Sequence, residues 1–249
     1  MRFLYNNLFD TAGYTLTENS EEATYPVENA QDYQLTKHYR TTGDASEWVK
    51  IDGLAPAAIT ANIAFIAGHN ITSGATTIKI QGNGADAWVG PTVDESFTHS
   101  AGVMWKAFTS DDLQYWRWLI EDAANPDTYI KIGRLGLGTY FDLSVWAQTS
   151  FARRTIDTST IRRSPTGQLY GDEKVTYLEY DFRISNMSDA DRVNLETMWR
   201  TNKKVKPILF IPNPSDTTLA PLYCNISKFD LNHNVAWRWH AQMTLTEAL

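Results

Sequence analysis

The stretch that decides the fold runs from Tyr25 to Asn70. It begins with two turn-rich segments, Tyr25–Asp32 (YPVENAQD) and Tyr39–Gly43 (YRTTG). It continues with the alternating segment Trp48–Asp52 (WVKID) and the apolar run Ile59–Asn70 (ITANIAFIAGHN). No helical period lies between these segments, and a nearly all-apolar run predicts a strand buried on both faces. The stretch therefore predicts a β domain.

The chain beyond Asn70 carries further strand signals. The segments Thr76–Gln81 and Gln114–Glu121 are typical of strands. The turn residues Asn125-Pro126-Asp127 separate Gln114–Glu121 from Tyr129–Gly138, so we expect these two segments to form a hairpin. Glycines at the end of Tyr129–Gly138 predict a bend where the chain leaves its first domain.

This order of segments resembles the discoidin-type, galactose-binding-like jelly rolls, and the resemblance extends from the N-terminus to about Tyr140. It implies a jelly-roll β-sandwich over residues 1–143. It also implies a function in binding, because proteins of this fold usually bind and seldom catalyse.

The composition changes after Tyr140. Residues 146–172 are rich in Ser, Thr, Arg, Gln and Gly, which is uncommon for a connection inside a compact domain. We therefore expect residues 146–172 to form an extended arm that contacts other subunits. The basic side chains of this arm are Arg153, Arg154, Arg162 and Arg163. They are either part of an inter-subunit contact or solvent-exposed loop charge.

One helix is predicted, over residues 188–201. Ser188 can cap its N-terminus, and Asp191 occupies the capping-box position. The apolar face of the helix consists of Val193, Leu195, Met198 and Trp199.

The helix lies within a longer succession of elements. Strand signals at Tyr177–Ile184, Lys206–Pro212 and Trp237–Leu249 surround it. This succession resembles the small β-barrel with one helix of bacteriophage tail tube and distal tail proteins. The resemblance implies a second domain over residues 144–249, and a mainly β protein overall.

The two resemblances agree, because phage tail proteins often carry a galactose-binding-like domain. They imply a structural component of a bacteriophage tail tip or baseplate, either a distal tail protein or another minor tail protein. In many distal tail proteins the barrel comes first, whereas here it follows. The implied partners are the tail tube, the baseplate hub and further copies of the chain in a ring, most simply a hexamer. The implied location is the virion tail, after synthesis in the host bacterial cytoplasm.

Composition argues against several classes of protein. The formal net charge of -7 disfavours a nucleic-acid partner. No apolar run approaches the roughly 18 residues of a membrane span. Cys224 is the only cysteine, so neither an intrachain disulfide nor a thiolate metal site is expected. The N-terminal segment is too polar for a secretory signal, and we expect a soluble protein made in a reducing compartment.

The sequence contains no recognised catalytic motif. Its histidines include no i, i+4 pair, and neither His-Glu-x-x-His nor Cys-x-x-Cys occurs. The segment Gly133–Gly138 lacks the Lys-Ser/Thr pair of a nucleotide loop, and no Gly-x-Ser-x-Gly elbow is found. We therefore expect no enzymatic activity, no cofactor and no bound metal. A glycoside hydrolase with two converging carboxylates is a distant alternative.

Recognition of a host surface glycan is the alternative to a role in assembly, and the two can coexist. A sugar site needs aromatic faces and a few fixed polar groups. The candidate residues are His38, Arg40, His69, Asn70, Trp88 and Trp105. Packing alone could also explain Trp88 and Trp105 as caps of the sandwich. The remaining tryptophans of this region, Trp48, Trp116 and Trp118, are expected in the core.

Overall fold

The structure is a computed structural model, and it describes residues 1–54, 58–145, 147–216, 218–235 and 238–249. The chain divides into two units. Unit 1 comprises residues 1–142 and 209–223, and unit 2 comprises residues 143–208 and 224–249. The predicted division at residues 143 and 144 differs from this one, because residues 209–223 return to unit 1.

Unit 1 consists mainly of strands. In chain order they are β1 (Arg2–Leu4), β2 (Thr15–Glu18), β3 (Tyr39–Arg40), β4 (Glu47–Asp52), β5 (Ile59–His69), β6 (Thr77–Asn83), β7 (Val93–Ser96), β8 (Met104–Leu113), β9 (Tyr115–Glu121), β10 (Lys131–Gly138) and β11 (Phe141–Asp142). Two short 3-10 helices lie at Leu8–Asp10 and Val27–Gln31.

Apart from β1 and β11, the strands of unit 1 form two antiparallel sheets, with the orders β2-β4-β9-β6-β7 and β3-β10-β5-β8, whereas β1 pairs with β11 and with residues 209–211. This arrangement is a jelly-roll β-sandwich, and it confirms the predicted fold class. The predicted hairpin of β9 and β10 is wrong, because these strands lie in different sheets. The connection that contains Asn125-Pro126-Asp127 crosses from one sheet to the other.

The core of the sandwich is built by alternation along the strands. On β9, Trp116, Trp118 and Ile120 are buried, whereas the residues between them are partly exposed. Phe9 packs edge-on against Trp118 with a centroid distance of 5.2 Å. Burial of these large side chains contributes to the hydrophobic stabilisation of unit 1.

Trp48 does not lie in this core, contrary to the sequence-based expectation. On β4, Glu47, Val49 and Ile51 are buried, so Trp48 points to the opposite face and is partly exposed. Alternation along β4 places one set of residues in the core and the other set on the outer face. Trp48, the largest side chain of the strand, belongs to the outer set.

The strand β5 is buried on both faces, as predicted. Ala64 and Ile66 belong to the sandwich core, whereas Phe65 packs on the other side against Tyr223, at a centroid distance of 5.8 Å. Gly136 of β10 lies beside Phe65 of β5. A Cβ added to Gly136 would be 1.8 Å from the phenyl ring. In place of the predicted bend, the strand continues to Gly138, and Gly136 makes room for an aromatic ring.

The remaining elements lie wholly or partly in unit 2. These are β12 (Ala147–Asp157), β13 (Thr160–Arg163), β14 (Leu169–Asp172), β15 (Thr176–Met187), the helix α1 (Asp189–Asn202), β16 (Ile208–Ile211), β17 (Leu222–Val235) and β18 (Arg238–Glu247). Residues 209–211 of β16 and the first two residues of β17 belong to unit 1.

Within unit 2, β17, β18, β15 and β12 are antiparallel neighbours in that order. Among the described strands, none pairs with the outer side of β12, so a closed barrel is not confirmed. The predicted arm divides into two parts: β12 pairs with β15 in the sheet, and β13 with β14 forms a separate hairpin. Trp146 at the start of the arm and Trp237 at the start of the predicted last strand lie outside the described residues.

The predicted helix is confirmed as α1. The Ser188 hydroxyl accepts a hydrogen bond from the Asp191 N–H at 3.1 Å, which satisfies one of the free donors at the helix N-terminus. Leu195 and Met198 are fully buried, and Trp199 contacts Phe229 at a centroid distance of 5.6 Å.

Replacing Gly136 tests the close approach to Phe65. We expect Gly136→Ala to lower the free energy of unfolding by about 1–3 kcal/mol or more, because the methyl group would overlap a ring that buried neighbours hold in place. Urea denaturation measures the change. Gly102→Ala is the matched control, since a Cβ there meets nothing within 4 Å. Equal stability of the two variants would contradict the packing described.

Candidate functional site

Four loops of unit 1 meet at one end of the sandwich, which we call the Asp122 end. They are residues 41–46, 70–76, 97–103 and 122–130, between β3 and β4, β5 and β6, β7 and β8, and β9 and β10. The antiparallel registers require this meeting. His69 at the end of β5 pairs with Ile132 near the start of β10, and Glu121 at the end of β9 pairs with Thr77 at the start of β6.

The buried carboxylate of Asp122 joins two of these loops. It accepts hydrogen bonds from the N–H and the hydroxyl of Thr72, at 2.8 and 2.7 Å. It also accepts one from the Asn125 side-chain amide at 3.0 Å, and this amide lies 3.2 Å from the Asn70 carbonyl oxygen. Loops 70–76 and 122–130 are therefore held together by hydrogen bonds within the protein.

Asn70 is a positioning residue in this arrangement. Its side-chain amide donates to the Asp127 carboxylate and the Tyr129 carbonyl oxygen, both at 2.9 Å. Its side-chain oxygen accepts from the Lys131 N–H at 2.7 Å. These bonds use both donors of the amide, so Asn70 fixes the backbone beside Tyr129.

Thr41 likewise holds loop 41–46 in place, through hydrogen bonds to Ile130 of loop 122–130. The Ile130 N–H donates to the Thr41 hydroxyl at 2.8 Å, and the Thr41 N–H donates to the Ile130 carbonyl oxygen at 3.0 Å. The strand β3 is thereby anchored next to β10, and Arg40 is placed opposite Lys131.

A partly exposed group of side chains lies on this framework. We call Tyr25, His38, Arg40 and Tyr129 the aromatic surface. The Arg40 guanidinium lies 3.5 Å from the centroid of the Tyr129 ring and 5.8 Å from that of Tyr25. The Tyr25 and His38 rings are stacked at 4.7 Å with an interplanar angle of 11°.

The aromatic surface also carries charge. Arg40 Nε lies 2.8 Å from a carboxylate oxygen of Glu22, and both side chains are about one-third exposed. An ion pair of this exposure adds little stability, but it offers donors and acceptors to a solute in a fixed arrangement. The aromatic surface therefore combines aromatic ring faces with hydrogen-bond donors and hydrogen-bond acceptors.

His69 is at the same end of the sandwich but is not part of the aromatic surface. Both of its ring nitrogens are screened from solvent. Burial, followed by the neighbouring His99, lowers the pKa of His69 to about 4. The ring centroids of the two histidines are 6.2 Å apart. His69 is therefore a neutral packing residue at neutral pH.

The two tryptophan candidates lie elsewhere. Trp88 belongs to the loop between β6 and β7 at the opposite end of the sandwich, where its indole N–H donates to Asp86 at 3.0 Å and its ring covers the guanidinium of Arg117 at 4.2 Å. Trp105 lies near the start of β8, with the Arg2 guanidinium 5.8 Å from its ring centroid. The structure therefore brings His38, Arg40 and Asn70 together, with the partly buried His69 nearby.

The arginines of the predicted arm lie in unit 2, on β12 and β13. Arg154 approaches the carboxylates of Glu179 and Asp181 on the neighbouring strand β15, at 3.7 and 3.9 Å. Arg162 and Arg163 are exposed on the hairpin of β13 and β14.

Several residues of the site are missed by sequence reasoning. Tyr25 and Tyr129 lie in recognised segments but carry no sequence signal of exposure. Asp122 and Asn125 make their bonds to residues about 50 positions away in the chain. The turn chemistry of Asn125-Pro126-Asp127 is the only local signal for this loop.

Among the residues that the structure describes, no group of three or more His, Cys, Asp or Glu side chains is arranged to hold a metal ion. No helix in the described ranges has both the length and the apolar character needed to cross a bilayer.

The sequence matches no family model and no curated protein. Solved structures similar to the chain include a carbohydrate-binding module (CBM32) from Clostridium perfringens in complex with GalNAc-β-1,3-galactose, at 9% identity, TM-score 0.43, and coverage of 54% of this chain and 100% of that one. Another is a family 32 module of C. perfringens in complex with galactose, at 13% identity, TM-score 0.41, and coverage of 57% and 100%.

A third similar structure is a fucosidase from Ruminococcus gnavus in complex with fucose, at 11% identity and TM-score 0.46, with coverage of 56% of this chain and 28% of that one. Identities and TM-scores this low carry no argument about the ligand of this chain. Its class, an antiparallel jelly-roll β-sandwich with a second β unit, follows from its own strands.

The bonds of Asp122 predict a large effect of a small substitution. We expect Asp122→Asn to lower the free energy of unfolding by about 1–3 kcal/mol, because the new amide brings donors to a buried site filled with donors. Asp112→Asn, at an exposed position of β8, makes the same chemical change and should alter stability little. Urea denaturation of both variants provides the comparison, and equal effects would contradict the role of the network.

His69 predicts a pH dependence of stability. Its pKa is lowered from 6.5 to about 4 in the folded protein, so the unfolded chain binds the proton more tightly. Stability from this group is complete above pH 6.5 and is lost as the pH falls towards 4. Between pH 6.5 and 4, we expect the free energy of unfolding to fall less in His69→Gln than in the wild type. The difference between the two decreases should exceed about 1 kcal/mol. Denaturation at a series of pH values measures both slopes, and identical slopes would rule out this origin.

Proposed function

We propose that unit 1 binds a glycan at the Asp122 end, through the aromatic surface. The observation that supports this function is the placement of the Arg40 guanidinium near the rings of both Tyr25 and Tyr129, on a loop framework fixed by buried and partly buried hydrogen bonds. Sugars present C–H faces that pack on aromatic rings and hydroxyls that pair with charged groups. The surface offers both within one patch.

The framework favours binding because it is already ordered. The backbone beside Tyr129 is held by Asn70 and that beside Arg40 by Thr41. A site whose side chains are positioned before binding loses less conformational entropy when the ligand arrives. This effect matters most for weak ligands such as single sugars.

A glycan array followed by calorimetric titration tests the proposal. We expect saturable binding of at least one defined sugar by the wild type, and binding weaker by at least about tenfold in Tyr129→Ala and Arg40→Ala. Trp88→Ala is the matched control, because it removes an aromatic side chain at the opposite end of the sandwich. Near-ultraviolet circular dichroism verifies that each variant is folded.

Two outcomes would contradict the proposal. One is a wild-type protein that binds no sugar on the array. The other is binding that survives both Tyr129→Ala and Arg40→Ala but disappears in Trp88→Ala.

A second function, a structural role in a phage tail, is supported by the hairpin of β13 and β14. Ile161, Leu169 and Tyr170 are 75%, 60% and 58% exposed on it. A two-stranded hairpin is marginally stable on its own in water. Exposed apolar side chains on such an element favour contact with another copy of the chain or with a neighbouring tail protein. The proposed location is then the virion tail.

Light scattering and cryo-electron microscopy of the purified chain test this second function. We expect a closed ring for the wild type, and smaller species for the double variant Ile161→Ser/Leu169→Ser, because it removes apolar area from the contact. Val89→Ser is the control, since Val89 is 99% exposed in unit 1, outside the hairpin. A wild type that stays monomeric at every concentration and joins no tail would contradict the structural role.

A further inference from the structure

A cavity of about 550 Å³ lies within unit 1, and none of its lining residues belongs to the aromatic surface. Its lining comes from loop 97–103, the start of β8, Arg2, and a third group made of Ile211, Asn213, Pro214, Asp216 and residues 219–221. Its size falls within the usual range of small-molecule sites. The function proposed above makes no use of it.

The walls of the cavity are in part apolar. Trp105 contributes an indole, and it is partly exposed. The other apolar residues of the lining include Val103, Ile211, Pro214 and Leu219. A ligand of this cavity therefore needs at least one apolar face.

The lining also contains uncharged polar groups that can form hydrogen bonds. They are the hydroxyls of Thr98 and Ser100, the amide of Asn213 and the imidazole of His99. His99 Nε2 lies 3.0 Å from the Ile71 carbonyl oxygen, so this nitrogen carries the proton. In the neutral ring, Nδ1 is then an acceptor. A purely apolar ligand would displace water from these groups without replacing its hydrogen bonds.

The two cations of the cavity are already paired. Arg2 donates twice to the Asp142 carboxylate, at 2.9 and 2.8 Å. Lys106 Nζ lies 3.0 Å from Glu95. An anionic ligand would have to compete with these carboxylates, and it would also meet the carboxylate of Asp216 in the lining. Phosphates and acidic sugars are therefore disfavoured.

We infer that this cavity is a second carbohydrate site, which takes a neutral monosaccharide or disaccharide with its apolar face on Trp105. A neutral sugar is the ligand class that meets all three observations: an apolar face, hydroxyls that donate and accept, and no charge. The inference shares its ligand class with the proposed function but rests on different residues. The two can therefore fail separately.

Calorimetric titration of the full chain with D-galactose, N-acetyl-D-galactosamine, D-glucose and lactose tests this inference, with D-galacturonate as the charged comparison. We expect at least one neutral sugar to bind and galacturonate to bind more weakly. Trp105→Ala should weaken the cavity site by at least about tenfold, and Trp105→Phe should keep most of the affinity because it keeps a ring.

A filling variant guards against a folding defect of Trp105→Ala. Ala107 lines the same cavity and is partly exposed, so Ala107→Trp should block the cavity while all its walls stay in place. Trp88→Ala, at the opposite end of the sandwich, is the matched control, and Tyr129→Ala separates the cavity site from the aromatic surface. Binding that is lost in Ala107→Trp and Trp105→Ala but kept in Tyr129→Ala would support the cavity site, and would count against the aromatic surface.

The opposite results overturn the inference. If Trp105→Ala and Ala107→Trp bind every neutral sugar as the wild type does, the cavity is not a sugar site, and loss in Tyr129→Ala would then leave the proposed function standing. If the wild type binds none of the four neutral sugars at millimolar concentrations, the inference is wrong as well, whereas the proposed function is decided by the wider array.

Discussion

The buried carboxylate of Asp122 is the constraint on which the loop end of the sandwich depends. A carboxylate removed from water is unfavourable unless donors surround it, and here Thr72 and Asn125 provide them. The hydrogen bonds to this carboxylate fix the positions of two loops. The Asn125 side-chain amide extends the network by donating to the Asn70 carbonyl oxygen. The surface residues are consequently attached to a backbone that buried polar groups determine.

This constraint explains why the surface is ordered without being buried. Asn70 holds the carbonyl group of Tyr129 by a hydrogen bond, and Thr41 holds the strand that carries Arg40. The ring of Tyr129 and the guanidinium of Arg40 then meet at 3.5 Å, although each remains accessible to solvent. Rigid elements that support exposed side chains are the usual construction of a binding surface.

The sequence is sufficient for features that local patterns determine. The strand β5, the capped helix α1 and the mainly β class follow from apolar runs, alternation and the Ser188 cap. Features that depend on distant contacts do not. The outward direction of Trp48 depends on the pairing of β4, the crossing between β9 and β10 depends on sheet order, and Gly136 is explained only by Phe65 on a strand about 70 positions earlier. The Asp122 network belongs to this second group.

The two proposed roles depend on different physical properties of different units. The aromatic surface of unit 1 is polar, partly exposed and hydrogen-bonded to its own framework, so it is stable in water without a partner. Among the described strands, β13 and β14 of the hairpin pair only with each other, and Ile161 and Leu169 lie largely exposed on it. Apolar surface exposed to water favours association with another protein, whereas a polar surface whose hydrogen bonds are already formed does not. Assembly and sugar binding therefore need not compete for residues in this chain, and a variant that loses one role can keep the other.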